Sequence, residues 1–172
     1  MEKIKLLVIF LLVAVAYYFL ATKGTGKFAH DLDYFNPLAK SFLAWRLDIP
    51  NPIENHDLSR FGGKWYPYWG PLPALLLIPF QLVMGRFIPV DYLAIFFGSL
   101  GVVLIYLIIK RISKEYFSSH VSENLTLLLV VFFAFGTSQI YVSTRSGVWF
   151  VSQVVSIVPT FFSFYFFLYN LF

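Results

Sequence analysis

Two aspartates, Asp31 and Asp33, have a spacing that suits acid–base chemistry, with His30 before them and Tyr34 after them. In an extended segment, residues two apart project to the same side, so both carboxylates can face one pocket. Two carboxylates in one pocket raise each other's pKa or bind a cation together, and one of them can act as a general base. The competing interpretation is an ordinary solvated acidic turn, because so short a motif has little specificity. We predict both residues as catalytic candidates; the need for a divalent metal stays open, and no other cofactor is indicated.

A second candidate group consists of Arg145, Trp149 and Gln153, which follow one another at intervals of four residues. On a helix this spacing places the three side chains on one face. Arginine suits phosphate binding, because its planar guanidinium presents a fork of hydrogen-bond donors. An interfacial anchor explains Arg145 and Trp149 equally well, whereas the deeper Gln153 amide is expected to face a neighbouring helix.

The composition indicates which solvent surrounds the elements that position these residues. Of the 172 residues, 59% are hydrophobic and 21% aromatic, and only 13% are charged. These proportions are typical of a polytopic membrane protein. The 13 basic residues are scattered rather than gathered in a stripe, so we predict contacts with membrane lipids and no nucleic-acid binding. Without cysteine, the chain has no disulfide, no thiol nucleophile and no cysteine metal site.

The apolar runs predict an all-α membrane protein with about four transmembrane helices, at residues 4–21, 89–109, 125–143 and 147–170. The run at 71–84 is short for a bilayer crossing and contains three prolines, which favours an interfacial helix. The basic residues Lys110, Arg111 and Lys114 follow the second span, and a short basic loop is expected in the cytoplasm. This topology places residues 22–88 outside and both termini in the cytoplasm, in a plasma membrane of prokaryotic type.

The outer loop also contains a helix signal, since Asn36 and Pro37 form a suitable N-cap and first helical residue. Leu38, Phe42 and Trp45 then share one face, which predicts a short amphipathic helix lying on the membrane. The last span ends in FFSFYFFLYNLF without closing basic residues or a polar tail. We therefore expect the chain to be the N-terminal portion of a longer protein.

The order of segments carries a family resemblance. A first span is followed by acids before an aromatic residue, then by PLAKSFLAWRLDI, GKWYPYWGPLPALLLIPF and GTSQIYVSTRSGVWF. This arrangement resembles the N-terminal part of GT-C-fold membrane glycosyltransferases, and the protein mannosyltransferase-like and aminoarabinose transferase-like enzymes are nearest in pattern. The resemblance implies transfer of a sugar from a polyprenyl-phosphate donor to a lipid, glycan or protein acceptor at the outer face of the membrane.

The resemblance also implies roles for residues. Asp31 or Asp33 would be the base that deprotonates the acceptor, and Arg145 would lie beside the donor phosphate. The closing segment of the loop would bind the donor by stacking on sugar faces or lining the path of the lipid. The implied donor-binding residues are Arg145, Trp149, Gln153, Lys64, Trp65, Tyr66, Tyr68 and Trp69.

A non-catalytic membrane protein is the competing class. A small accessory or scaffold protein would use the same loop to bind polyprenyl lipid or a partner. A transporter ranks below both, because no acidic or basic residue marks a translocation path within the predicted spans.

Overall fold

Seven helices and one β-hairpin form the described part of the chain, which comprises residues 2–29, 32–116 and 121–170 of a computed structural model. The helices are α1 Glu2–Ala21, α2 Phe35–Leu43, α3 Leu72–Met84, α4 Asp91–Tyr116, α5 Glu123–Gly136, α6 Ser138–Ser143 and α7 Val148–Asn170. The strands are β1 Leu58–Phe61 and β2 Lys64–Pro67. The protein is therefore mostly helical, as predicted, but it is not all-α.

Three of the helices described here, α1, α4 and α7, are long and apolar enough to cross a membrane. Their most apolar windows have mean hydropathies of 2.5, 2.5 and 1.6. Along α1, large apolar side chains that a soluble protein would bury are exposed, among them Leu12, Val15 and Phe19. These features are compatible with an integral membrane protein.

Helix α4 lies at the centre of the bundle and contacts α1, α5, α6 and α7. Val102 and Tyr106 of α4 are buried in one apolar cluster with Tyr17 of α1 and Val130 of α5. The Tyr17 hydroxyl donates a hydrogen bond of 2.8 Å to the carbonyl of Ala134, which satisfies this buried polar group and ties α1 to α5.

The bundle has two ends with different contents. At one end, the start of α1, the end of α4 and the start of α5 meet, because Lys5 and Lys110 both contact Glu123. We call this the clasp end. At the other end, the backbone N–H of Val148, the first residue of α7, donates to the carbonyl of Leu32 at 3.2 Å. We call this the loop end, because it adjoins the long segment between α1 and α4.

The run predicted as one span at residues 125–143 is divided into α5 and α6. Thr137 has extended backbone angles, and its hydroxyl donates to the Phe133 carbonyl at 2.7 Å. The same oxygen accepts from the backbone N–H of Gln139 at 3.2 Å, so one side chain ends α5 and caps α6. The Gln139 amide donates to the Gly98 carbonyl at 3.2 Å, which fixes α6 against α4.

Helix α3 occupies most of the short run predicted at 71–84. Its 13 residues include Pro79, and it ends at Gly85, which has a left-handed backbone with φ of +63°. Glycine adopts that conformation without steric cost, so the helix has a defined stop. At 1.5 Å per residue, α3 is about 20 Å long, short of the ~30 Å hydrocarbon core.

The predicted amphipathic helix in the loop is α2, but two details of that prediction are wrong. The helix begins at Phe35, and Asn36 is a buried helical residue rather than the N-cap. Trp45 lies beyond the end of α2 with φ of +56° and is 98% exposed, so it does not share a face with Leu38. Most of α2 is buried in an apolar cluster that includes residues of α3 and α7. Its polar Asn36 bonds to Gln81 of α3 and to the backbone of Ile88, partners that a helix on the membrane surface would lack.

The hairpin was not predicted. Strands β1 and β2 are antiparallel, with Phe61 opposite Lys64 and Leu58 opposite Pro67. The connecting residues Gly62 and Gly63 have φ of +55° and +76°. Two-residue hairpin turns of this type need positive φ at both central positions, so the Gly-Gly pair was the available sequence signal.

Candidate functional site

The candidate site lies at the loop end, where three segments that are distant in sequence come together. The carbonyl of Leu32 accepts from Val148 at 3.2 Å, so the acidic segment adjoins the start of α7. The ring of Tyr34 stacks on Trp69, with centroids 6.0 Å apart and an angle of 28° between planes. The acidic segment therefore contacts both other predicted segments through its own backbone and its aromatic neighbour.

Three hydrogen bonds from described residues hold Asp33. Its Oδ1 accepts from the backbone N–H groups of Phe35 at 2.8 Å and Asn36 at 3.1 Å, and its Oδ2 accepts from the Asn36 amide at 2.6 Å. The carboxylate thus satisfies two of the N–H groups that the first turn of α2 leaves free. Asp33 is partly buried, and its donors among the described residues are all neutral.

Burial raises the pKa of the Asp33 carboxyl above its ordinary value of 3.8. The hydrogen bonds from Asn36 and Phe35 act in the opposite direction, because they stabilise the anion, but burial is the larger effect. A raised pKa makes the carboxylate a better proton acceptor, while the three bonds fix its position. Asp31, the other predicted catalytic residue, lies outside the described residues.

Asn36 connects the acidic segment to α3 and to the chain before α4. Its amide donates to the Ile88 carbonyl at 2.8 Å, and its Oδ1 accepts from the Ile88 N–H at 3.2 Å. The Gln81 amide of α3 donates to the Asn36 Oδ1 and to its carbonyl, both at 3.0 Å. Sequence reasoning assigned Asn36 to a cap and missed this role. Its partners lie about 50 residues away, and no local pattern signals them.

Arg145 does not lie on α7, contrary to the prediction from its spacing. It occupies the connection between α6 and α7, is exposed, and places its guanidinium 5.1 Å from the ring centroid of Tyr141. A stacked guanidinium keeps its N–H donors free for an anion in the plane of the group. The predicted face reduces to Trp149, which is 49% exposed, and Gln153 on α7.

The Gln153 side chain is exposed and has no hydrogen-bond partner among the described residues, so the expectation that it faces a neighbouring helix is wrong. It lines a groove of about 400 Å³ on α7 together with Ser152, Ser156, Ile157, Thr160 and Phe161. The hydroxyls of the groove donate back to carbonyls one turn earlier, as Ser156 does to Ser152 at 2.7 Å. This leaves their lone pairs facing outward as acceptors.

The aromatic residues that follow the hairpin form a stacked group. Tyr68 and Trp69 stack with ring centroids 4.1 Å apart, and Tyr68 is 64% exposed. Trp65 in β2 lies under Arg60, whose guanidinium is 5.4 Å from the ring centroid. Tyr66 is half-buried in β2, and Lys64 is exposed beside the hairpin turn. Of the predicted donor-binding residues in this segment, Trp69 has direct contact with the acidic segment.

A backbone hydrogen bond beside a buried acid joins the hairpin to the loop. The Arg46 guanidinium forms two bonds with Asp48, at 2.6 Å and 3.2 Å, and holds the pKa of that carboxyl below its ordinary value. The N–H of the next residue, Ile49, donates to the Trp65 carbonyl at 2.8 Å. The aromatic segment is therefore held at its start by the bond from Ile49 to Trp65, and at its end by the stacking of Trp69 on Tyr34.

Tyr34 is a further candidate that the sequence did not single out. It is 3% exposed, and its buried hydroxyl makes no well-formed hydrogen bond to a described residue, with the backbone of Asp57 as its polar neighbour. Burial raises the pKa of this hydroxyl, so it stays protonated and can donate a hydrogen bond. The available signal was its position next to Asp33.

Comparisons with known proteins gave no match. No protein family, curated protein or solved structure matches the chain. Within residues 2–29, 32–116 and 121–170, no group of three or more His, Asp or Glu side chains is arranged to hold a metal ion.

Proposed function

We propose that the chain is a membrane glycosyltransferase, or the N-terminal part of one, that takes its sugar from a polyprenyl-phosphate donor. The observation that carries the proposal is the contact of Leu32 with Val148, which brings the segment of Asp33 next to the connection that bears Arg145. A base and a phosphate ligand must lie close together in such a reaction, because the bond made and the bond broken share one anomeric carbon. The resemblance described above supports the same reading.

In the proposed reaction, an acceptor hydroxyl attacks the anomeric carbon of the donor sugar. The new carbon–oxygen bond forms as the bond to the lipid phosphate breaks, and the phosphate leaves with the bonding electron pair. Asp33 or Asp31 takes the hydroxyl proton, and the exposed guanidinium of Arg145 stabilises the charge that develops on the phosphate. Apart from the transfer of that one proton to the aspartate, no group changes its protonation state in this reaction.

The stacked Tyr68 and Trp69 provide a surface for the sugar in this proposal. Aromatic faces pack against the apolar faces of sugar rings, and the exposed face of Tyr68 is available for such a contact. Trp69 lies between Tyr68 and Tyr34, so a sugar on this surface would lie close to the acidic segment.

We also propose four membrane crossings, with the loop end outside and the clasp end in the cytoplasm. The chain starts α5 at the clasp end and starts α7 at the loop end, so residues 123–147 must cover the distance between them. At 1.5 Å per residue, α5 and α6 together span about 30 Å, which matches the hydrocarbon core. The third crossing in chain order, α5 with α6, is then a helix broken at Thr137.

The absence of cysteine permits a direct test of this topology in intact cells. Ser59→Cys places an exposed thiol on the hairpin, and Glu2→Cys places one at the clasp end. A maleimide that cannot cross membranes should label Ser59→Cys in intact cells and label Glu2→Cys only after the cells are opened. Labelling of both, or of Glu2→Cys alone, would reject the proposed orientation.

The activity is tested by sugar transfer from a panel of radiolabelled polyprenyl-phosphate sugars, in membranes that express the chain and, in parallel, any longer form from its locus. Asp33→Asn should lower the rate by about a hundred- to ten-thousandfold if Asp33 is the base. Arg145→Gln should lower it through the lost phosphate contact. Glu54→Gln is the matched control, because Glu54 is an exposed acid in the same loop and should transfer at the wild-type rate.

A non-catalytic lipid-binding protein is the second candidate. The three hydrogen bonds to Asp33 favour it, because they give the carboxylate a structural role without any reaction. In that case no donor supports transfer by either form, while Asp33→Asn still lowers thermal stability. Retained transfer by both Asp33→Asn and Asp31→Asn would remove the base assignment from the proposal.

A further inference from the structure

The clasp end contains a cavity that the proposed reaction does not use. Its volume is about 310 Å³, and it is lined by Glu2, Leu107, Lys110, Arg111, Ser113, Lys114, Val121 and Tyr165. The described helices that are long enough to cross a membrane, α1, α4 and α7, each contribute to the lining of the cavity. The cavity therefore lies between helices at the level where they end, which is where lipid headgroups are found.

The basic side chains of the cavity have hydrogen-bond donors to spare. Arg111 donates from one nitrogen to Glu115 at 3.0 Å, while its buried Nε has no partner among the described residues. Lys110 donates to Glu123 at 3.0 Å, which leaves two of its three N–H groups. Lys114 is exposed and has no ion pair in the described part of the chain.

The acidic groups near the cavity are mostly committed elsewhere. Glu123 accepts from Lys5, Tyr106 and Lys110, and Glu115 accepts from Arg111. Glu2 is the acid that lines the cavity itself, and it is exposed at the start of α1. An anion at the cavity would consequently meet more free donors than free acceptors.

The Arg111 guanidinium is also held in a fixed orientation. Its central carbon lies 5.1 Å from the ring centroid of Tyr169, so α7 and the salt bridge to Glu115 hold it from two sides. A guanidinium held in this way presents the N–H groups of its remaining nitrogen, Nη2, to a phosphate oxygen in the plane of the group. Leu107 and Tyr165 supply apolar walls beside it.

We propose that this cavity binds the phosphate headgroup of an anionic membrane lipid. Arg111 and Lys114 contact the phosphate oxygens, and the apolar walls contact the first carbons of the glyceride. A free phosphate anion offers the same oxygens, but the position of the cavity at the ends of three apolar helices favours the lipid. The proposal is independent of the glycosyltransferase assignment, because it uses neither the loop end nor a reaction.

The test is native mass spectrometry of the whole chain in detergent, titrated with phosphatidylglycerol or with phosphatidylcholine of the same acyl chains. Phosphatidylglycerol should bind to the wild type with an apparent dissociation constant at least fivefold lower. Lys114→Gln should lose about fivefold of this preference, as expected for one lysine near a lipid phosphate. Lys114→Arg should retain it.

Lys27→Gln is the matched control, because Lys27 is an exposed lysine beyond the opposite end of α1. It should retain the lipid preference of the wild type. Equal losses in Lys27→Gln and Lys114→Gln would mean a general attraction to charge and would overturn the proposal. So would a wild type that binds both lipids alike, or one whose site is saturated by inorganic phosphate without competition from the lipid. Thermal unfolding checks that each variant is folded.

Discussion

The two ends of the bundle each hold a carboxylate that accepts three hydrogen bonds, but the donors differ in charge. At the clasp end, Glu123 accepts from Lys5 at 2.8 Å and from Tyr106 and Lys110 at 3.0 Å. At the loop end, Asp33 accepts from two backbone N–H groups and the amide of Asn36. Among the described residues, two of the three donors to Glu123 are cations, whereas the three donors to Asp33 are neutral.

This difference sets the two pKa values apart. The hydrogen bonds from Lys5 and Lys110 lower the pKa of Glu123 to about 2. Burial raises the pKa of Asp33, and its neutral donors only partly offset that effect. Neutral donors can therefore fix a carboxylate in place and leave it able to accept a proton. Cationic donors also fix a carboxylate, but they lower its pKa and so make it a weaker proton acceptor. Glu123 is suited to holding helices together, and Asp33 is suited to proton chemistry.

The largest effect is expected from Asn36→Ala, which breaks the network at the loop end. The change leaves Gln81, Asp33 and the backbone of Ile88 without their common partner, and buried polar groups without partners are costly. We expect the free energy of unfolding to fall by about 3 kcal/mol. Thermal or denaturant unfolding in detergent measures it. Asn55→Ala is the control, since Asn55 is exposed, and a loss no larger than in that control would contradict the buried network.

The next effect is a pH dependence at the clasp end. The folded pKa of Glu123, about 2, lies below its ordinary value of 4.5. Its contribution to stability is therefore present above pH 4.5 and is lost as the pH falls toward 2. Glu123→Gln should remove that part of the acid sensitivity in thermal unfolding between pH 2 and 6. Glu54→Gln, a change at an exposed acid, should leave the acid sensitivity as it is. Identical pH profiles for wild type and Glu123→Gln would contradict the ion pairs of Glu123 with Lys5 and Lys110.

The smallest effect is the opposite pH dependence at the loop end. Because the folded pKa of Asp33 is raised above 3.8, the folded state holds the proton more tightly than the unfolded state. Stability from this group is present below pH 3.8 and decreases as the pH rises through the folded value. Asp33→Asn should therefore gain stability relative to wild type as the pH rises through that window.

Asp33→Asn also changes the free energy of unfolding by an amount that does not depend on pH, because the new amide places an N–H donor opposite the Asn36 amide donor. The pH-dependent part is read from the difference between the two unfolding curves. If Asp33→Asn and Glu123→Gln shifted the pH profile in the same direction, the contrast between the two ends would be wrong.

The long helices could be predicted from the sequence because each depends on its own apolar residues. An apolar run of that length is expected to form a long helix regardless of which residues pack against it. Helices α1, α4 and α7 therefore follow from length and composition alone. The division at Thr137 could not be predicted in this way. Thr137 is compatible with a helix interior, and the break is fixed by α6, whose Gln139 bonds to Gly98 of another helix.

The candidate site was predictable only in part. The sequence singled out Asp33, the aromatic segment and Arg145 by residue type, but it placed Arg145 on a helix that begins three residues later. It also gave Asn36 a local role, because its partners Gln81 and Ile88 are brought near only by the fold. The hairpin is different, because its sequence signal, the Gly62–Gly63 pair, is local.

The turn of that hairpin also offers a practical handle. A side chain built on Gly62 or Gly63 would have no atom within 4 Å, so the tip projects away from every described part of the protein. Exposed tips of this kind accept insertions with little cost to the fold beneath them. An epitope or a small fluorescent tag placed between the two glycines would therefore permit detection and affinity capture.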